Sequence, residues 1–176
     1  LSVGPSIESV GRFSFNNLVN LKIVHFGDSV REIQNGAFDT CGLEGDLWIP
    51  INVDDIGQST FYNNTELSAV HIPETNLKDG CTVHANAFGY CDKLKYVDFR
   101  GVGTLCVNVF RDCHELKTIL FSEIIDFASP DVFFGLPEET KLVFPESIKM
   151  KILDHPAIMP LKDGQVVFMK EVSWLS

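Results

Sequence analysis

The stretch Ile33-Gln-Asn-Gly-Ala-Phe38-Asp-Thr-Cys41-Gly-Leu43-Glu-Gly-Asp-Leu47-Trp-Ile49-Pro50 decides the fold, because its shape recurs along the chain. Its anchor, Phe38, has counterparts at Phe15, Phe61, Phe88, Phe110 and Phe133, with successive gaps of 23, 23, 27, 22 and 23 residues. Nine residues after the anchors stand Val24, Leu47, Val70, Val97, Ile119 and Leu142, and eleven after stand Phe26, Ile49, Ile72, Phe99, Phe121 and Phe144. None of these is polar. Five residues before the anchors come Val10, Ile33, Ile56, Val83, Leu105 and Ala128, and eight before come Ile7, Val30, Val53, Gly80, Val102 and Ile125. A register kept at four offsets through six copies defines an internal repeat, the first feature to look for in any chain.

The spacings dictate the local structure. Two apolar residues two apart share one face of an extended segment, so each unit supplies a short strand whose ninth and eleventh positions point inward. The Pro residues that follow, Pro50, Pro73 and Pro145, turn the chain. The apolar positions at minus eight and minus five bring it back along the opposite wall. One coil closes per unit, and stacked coils pair their strands into a parallel sheet about 4.8 Å apart, with the Phe anchors as an internal column. The connection between the third and fourth units, from Pro73 to Thr82 between Ile72 and Val83, carries four extra residues, which belong in a loop. After Pro145 the pattern fails, since Phe133 plus 23 falls on Pro156. Residues 1–145 therefore read as six repeats and 146–176 as a C-terminal cap that hides the open core. Asp163-Gly164 followed by Gln165 to Trp174 reads as a turn and a closing strand.

Laid out this way, Phe88-Gly-Tyr-Cys91-Asp-Lys-Leu94-Lys-Tyr-Val97-Asp-Phe99 and Phe110-Arg-Asp-Cys113-His-Glu-Leu116-Lys-Thr-Ile119-Leu-Phe121 resemble the BspA-type leucine-rich repeat over roughly residues 7–145. That class has a Phe anchor, a Cys three later, a Leu six later and a closing apolar-Pro pair. Leu21, Leu67, Leu94 and Leu116 fit the Leu position; Glu44 and Glu139 do not, and Leu43 substitutes by a one-residue shift. The resemblance implies a right-handed solenoid, leucine-rich-repeat-like, with a parallel β-sheet on one face. It further implies a secreted or cell-surface protein of the kind found in host-associated bacteria, a protein ligand such as a host matrix or surface protein, and no catalytic residues.

The chain has 176 residues, with 14 basic against 24 acidic side chains, a formal charge of -10 and a pI near 4.8. Such a surface repels phosphate backbones, so nucleic acid is a poor partner. No apolar run reaches the length of a membrane span, and the opening Leu1-Ser2-Val3-Gly4-Pro5 lacks the features of a signal peptide, so the chain reads as a mature form or a fragment. The five His are scattered, the Cys spacing fits no zinc signature, and no nucleophile elbow, P-loop or dinucleotide fingerprint is present. No cofactor, metal or catalytic residue is assigned, although an acidic chain always offers carboxylate pairs.

Of the five Cys, Cys41, Cys91 and Cys113 share the position three after the anchor, where Asn64 stands in the third unit. A shared position argues for a shared role: a small buried group that hydrogen-bonds the turn backbone, which thiol or amide can fill. A disulfide between Cys91 and Cys113 in adjacent coils stays open, and Cys81 and Cys106 have no assigned place in the repeat.

If positions nine and eleven face inward, eight and ten face outward. Position eight reads Ile23, Asp46, Ala69, Tyr96, Thr118 and Lys141; position ten reads His25, Trp48, His71, Asp98, Leu120 and Val143. Ile23, His25, Trp48, His71, Tyr96 and Asp98 form an aromatic-rich stripe of the kind that marks binding hot spots, although aromatic residues also favour strands for cross-strand pairing alone. The first reading is a non-catalytic interaction or adhesion domain that binds through this face; the alternatives are a rigid spacer presenting a neighbouring domain and, least favoured by a repeat array without a recognisable site, an enzyme of unknown class.

Overall fold

The computed structural model describes residues 1–74 and 77–170. The anticipated strands are present and all include positions eight to ten, with β3 and β5 starting two or three residues earlier: β3 (Glu44–Trp48), β5 (Glu66–His71), β7 (Tyr96–Phe99), β9 (Thr118–Phe121) and β11 (Lys141–Pro145). They pair in parallel in chain order, with Leu47, Val70, Val97, Ile119 and Leu142 in register. The return wall, read from the sequence only as an apolar path, is a second six-stranded parallel sheet. It comprises β1 (Ser9–Val10), β2 (Glu32–Ile33), β4 (Asp55–Ile56), β6 (Cys81–Val83), β8 (Val102–Leu105) and β10 (Asp126–Phe127), in sequence order. The first unit departs from the pattern: around Val24 no strand forms, and only an isolated bridge joins Ser2 to His25.

The Phe turn between the two sheets is itself laddered. The anchor N–H groups of Phe15, Phe38, Phe61 and Phe88 donate to the carbonyls of Ala37, Thr60, Ala87 and Val109 in the next coil. Two residues on, Asn17, Thr40, Asn63 and Tyr90 donate to Asp39, Tyr62, Gly89 and Arg111. To aim these groups along the stack, the residue two after each of the first five anchors adopts positive φ, from 54° at Thr40 to 61° at Asn17. The residue two before does the same at Phe13, Gly36, Ser59, Asn86 and Asn108. Such a conformation costs a non-glycine residue about 1–2 kcal/mol, which the inter-coil bonds offset.

Inside, the rings stack. Phe15–Phe38, Phe38–Phe61, Phe61–Phe88 and Phe88–Phe110 have centroids 5.1, 5.5, 5.3 and 6.2 Å apart. The sixth anchor leaves the column: Phe133 contacts Phe121 and Phe127 instead. Its unit carries one extra residue before the anchor, so Phe127, paired in register with Leu105, fills the inward slot and the sequence-assigned Ala128 is exposed. A similar shift explains Cys81. It pairs with Val102 and is fully buried, taking the slot that the repeat assigned to Gly80.

Beyond Pro145 a 3-10 turn (Glu146–Ile148) and a short helix α1 (Lys149–Leu153) lead to β12 (Val166–Met169), which extends the first sheet in parallel. Val166 and Phe168 pair with Leu142 and Phe144, and Ala157, nine residues before Val166, is buried where an anchor would sit. The coil path thus continues for another turn with Ala in the Phe position. The closing strand is present; its sequence-assigned end at Trp174 lies outside the described residues.

Candidate binding face

The anchor-plus-three position has the role read from the sequence. The thiols of Cys41, Cys91 and Cys113 donate to the carbonyls of Phe15, Phe61 and Phe88 at 3.0, 3.5 and 3.1 Å, and the amide of Asn64 donates to Phe38 at 2.9 Å. All five cysteines are free thiols. Burial pushes the Cys91 thiol well above its usual range and the Cys113 thiol up to about 12, so neither is an activated nucleophile. Among the described residues no group of three or more His, Cys, Asp or Glu is placed to hold a metal ion. No described helix is long and apolar enough to cross a membrane.

The outward rows of the first sheet differ along their length. Trp48 on β3 is 59% exposed and lies flat on His71 of β5, with ring centroids 3.9 Å apart and planes 8° from parallel. His71 in turn meets Tyr96 of β7 at 5.8 Å. The register that sets Trp48 beside His71, and Tyr96 beside Ala69 two residues before His71, brings three rings from three coils into one run. Nε2 of His71 is 3.5 Å from Oδ2 of Asp46 but makes no hydrogen bond, so it is a buried donor or acceptor held only by that carboxylate's field. Burial, with the negative charge of Asp98 second, raises the Tyr96 phenol above its ordinary value.

Asp98 departs from the expectation of an outward contact residue. It is buried and gripped by Arg100, with Nε and Nη2 at 2.9 and 2.8 Å from its two oxygens. This pair stiffens the end of β7. Arg100 itself, two residues further on, was not recognisable as part of the face, because its position twelve after the anchor belongs to the turn. Ala69 and Val143, also in the outward rows, are buried. Ile23 and His25 stay exposed on the first coil, across a groove of about 250 Å³ that Asp28, Asp46, Trp48 and Pro50 also line. The structure therefore gathers Trp48, His71 and Tyr96 into one cluster, sets Ile23 and His25 on its far bank, and withdraws Asp98 from solvent.

Two stacked parallel sheets joined by a Phe turn define a leucine-rich-repeat solenoid. The chain belongs to the BspA type leucine rich repeat family, whose model matches six copies over residues 1–101 and 81–153. Among solved structures it is similar to the pneumococcal vaccine antigen PcpA, with a TM-score of 0.75 and 20% identity over 97% of this chain and 41% of that one. It is also similar to a leucine-rich repeat protein from Bacteroides ovatus, with a TM-score of 0.57 and 24% identity over 81% of this chain and 38% of that one. The chain spans about two fifths of the length of each. The comparison with curated proteins returned no significant match.

Proposed function

We propose that the chain is a non-catalytic interaction or adhesion domain of a secreted or cell-surface protein, and that it binds a protein ligand, such as a host matrix or surface protein, through the outer face of its first sheet. The observation that carries this reading is the ring run of Trp48, His71 and Tyr96, whose leading member is held flat and yet 59% exposed. A rigid exposed aromatic loses little conformational freedom on binding, which is why such residues dominate interfaces. Ile23 and His25 extend the same surface. Asp98, tied to Arg100, acts as a support rather than a contact. Membership of a repeat family that presents surfaces, and the likeness to a protein named as a vaccine antigen, favour display outside the cell. In this reading residues 1–145 form the six-repeat binding array and 146–176 its C-terminal cap.

The test is a Trp48→Ala, Tyr96→Ala double variant assayed on immobilised extracellular-matrix proteins. The expected outcome is an unchanged fold by circular dichroism and loss of retention on the matrix protein that holds the unaltered domain. Retention at the original level would move the site off this face. A second reading, a rigid spacer, is favoured by the continuous inter-coil ladder; absence of retention on any protein surface by the isolated domain would support it.

A further inference from the structure

The groove between the first and second coils is a break in an otherwise continuous sheet. β3 is the outermost hydrogen-bonded strand on that side. The first coil is tied to the second at the two ends of the groove, by the Glu44 N–H donating to Lys22 at 3.0 Å and by the Asn52 amide donating to Asp28 at 2.8 Å. Among the described residues no backbone hydrogen bond joins 23–26 to 45–49. The Ile49 N–H donates to His71. By the two-residue alternation of a strand, the N–H and C=O groups of Asp46 and Trp48 therefore face the groove.

The charge of the groove is one-sided. The Asp28 carboxylate is exposed and has no hydrogen-bond or ion-pair partner among the described residues. Asp46 accepts from the Ser68 hydroxyl at 3.2 Å, and its ion-pair partner among the described residues is His71 when that ring is protonated. The nearby Lys22 is engaged by Glu44 at 3.6 Å. Trp48 is pinned by His71 on one side and largely open on the rest of its surface. Two carboxylates, an indole held in a fixed plane and unpaired main-chain groups in one groove match a planar cation: the indole face attracts it and the carboxylates accept its N–H groups.

We propose that this groove receives an arginine side chain from an extended segment of the protein ligand, with the guanidinium against Trp48 and between Asp46 and Asp28. The assignment rests on the strand face being a binding surface and names the chemistry it selects. The net charge of -10 would steer such a basic segment toward it.

The probe is N-acetyl-arginine methylamide, compared with its citrulline counterpart, which has the same shape and no charge. The readout is the indole N–H signal of Trp48 in a nitrogen-proton correlation spectrum, assigned with Trp48→Phe. The arginine compound should shift the signal saturably, with binding weakened at least about fivefold for citrulline and by a similar factor in an Asp28→Asn, Asp46→Asn variant. An equal response to citrulline, an unchanged response in the Asn variant, or no shift at all overturns the proposal. Retention on the matrix protein separates the two readings. If the Ala double variant loses retention while the Asn variant keeps it, the face stands and the arginine site falls; full retention by the Ala variant removes the face and with it the arginine site as a site for the ligand, even where the small probe shifts the indole signal.

Discussion

The side-chain amide of Asn64 donates a 2.9 Å hydrogen bond to the carbonyl of Phe38, the anchor one coil earlier. It also donates to Phe61 at 2.9 Å, while its oxygen accepts from the N–H of Leu43 at 3.2 Å. Cys113, in the same repeat position, donates to Phe88 and accepts from the Cys91 backbone through a weakly hydrogen-bonding sulfur. Asn64→Ala would remove those three amide hydrogen bonds, leaving the Phe38 carbonyl and the Leu43 N–H short of this partner while the Phe61 carbonyl keeps the Cys91 thiol; Cys113→Ala removes only the weaker bonds of a sulfur. We expect a loss of roughly 3 kcal/mol for the first and about 1 kcal/mol for the second, measured by denaturant unfolding. Equal losses would mean that the position serves packing alone.

Phe61 is fully buried between Phe38 and Phe88, whereas Phe15 has an anchor stacked on one side only and stays partly exposed. Phe61→Ala should therefore cost about 3–5 kcal/mol, and Phe15→Ala clearly less. Thermal melts of the two variants check this, and equal shifts in midpoint would contradict a column that frays at its end.

Five free thiols in graded burial predict a graded reaction. Cys106 and Cys41, the least enclosed, should react first with a thiol reagent; Cys81, Cys91 and Cys113 should react only on unfolding. Denatured without reductant, the chain should titrate five thiols. A count of three would establish a bridge.

His114 lies 2.7 Å from Asp92 in the preceding coil, and that hydrogen bond raises its imidazole above the ordinary value. A group whose folded value is raised contributes stability below its unfolded value, near 6.5, and loses it as the pH rises through the folded value. Both side chains are exposed, so the effect is small and screened by salt. An NMR titration should place His114 higher in the unaltered chain than in Asp92→Asn; identical midpoints would show that the pair does not form in solution.

Much of this fold is legible in the residues because burial acts on side chains at fixed spacing. Leu47, Ile49 and their counterparts could only point inward, and the exchange of Cys for Asn64 already spoke of a buried donor. What lay hidden belongs to the backbone. Thr40 and Ser59 have no preference for positive φ; they adopt it because the coil stacked on each side aligns the N–H groups of the turn. Ala157 could not be recognised as an anchor since its ring is missing, and Phe127 displaced Ala128 through a single extra residue that only strand pairing reveals. On the candidate face, exposure of Trp48 followed from alternation, but the withdrawal of Asp98 depended on Arg100 reaching back two residues, a contact that no period encodes.

The inter-coil bonds of both sheets and of the Phe turn have a mechanical consequence. All run along the stack, so tension between the chain ends loads them coil by coil rather than together. Each coil that yields releases about 80 Å of extended chain for its 23 residues. A domain tethered at one end and attached through its first two coils would lengthen in steps, letting the anchored body move while the attachment held.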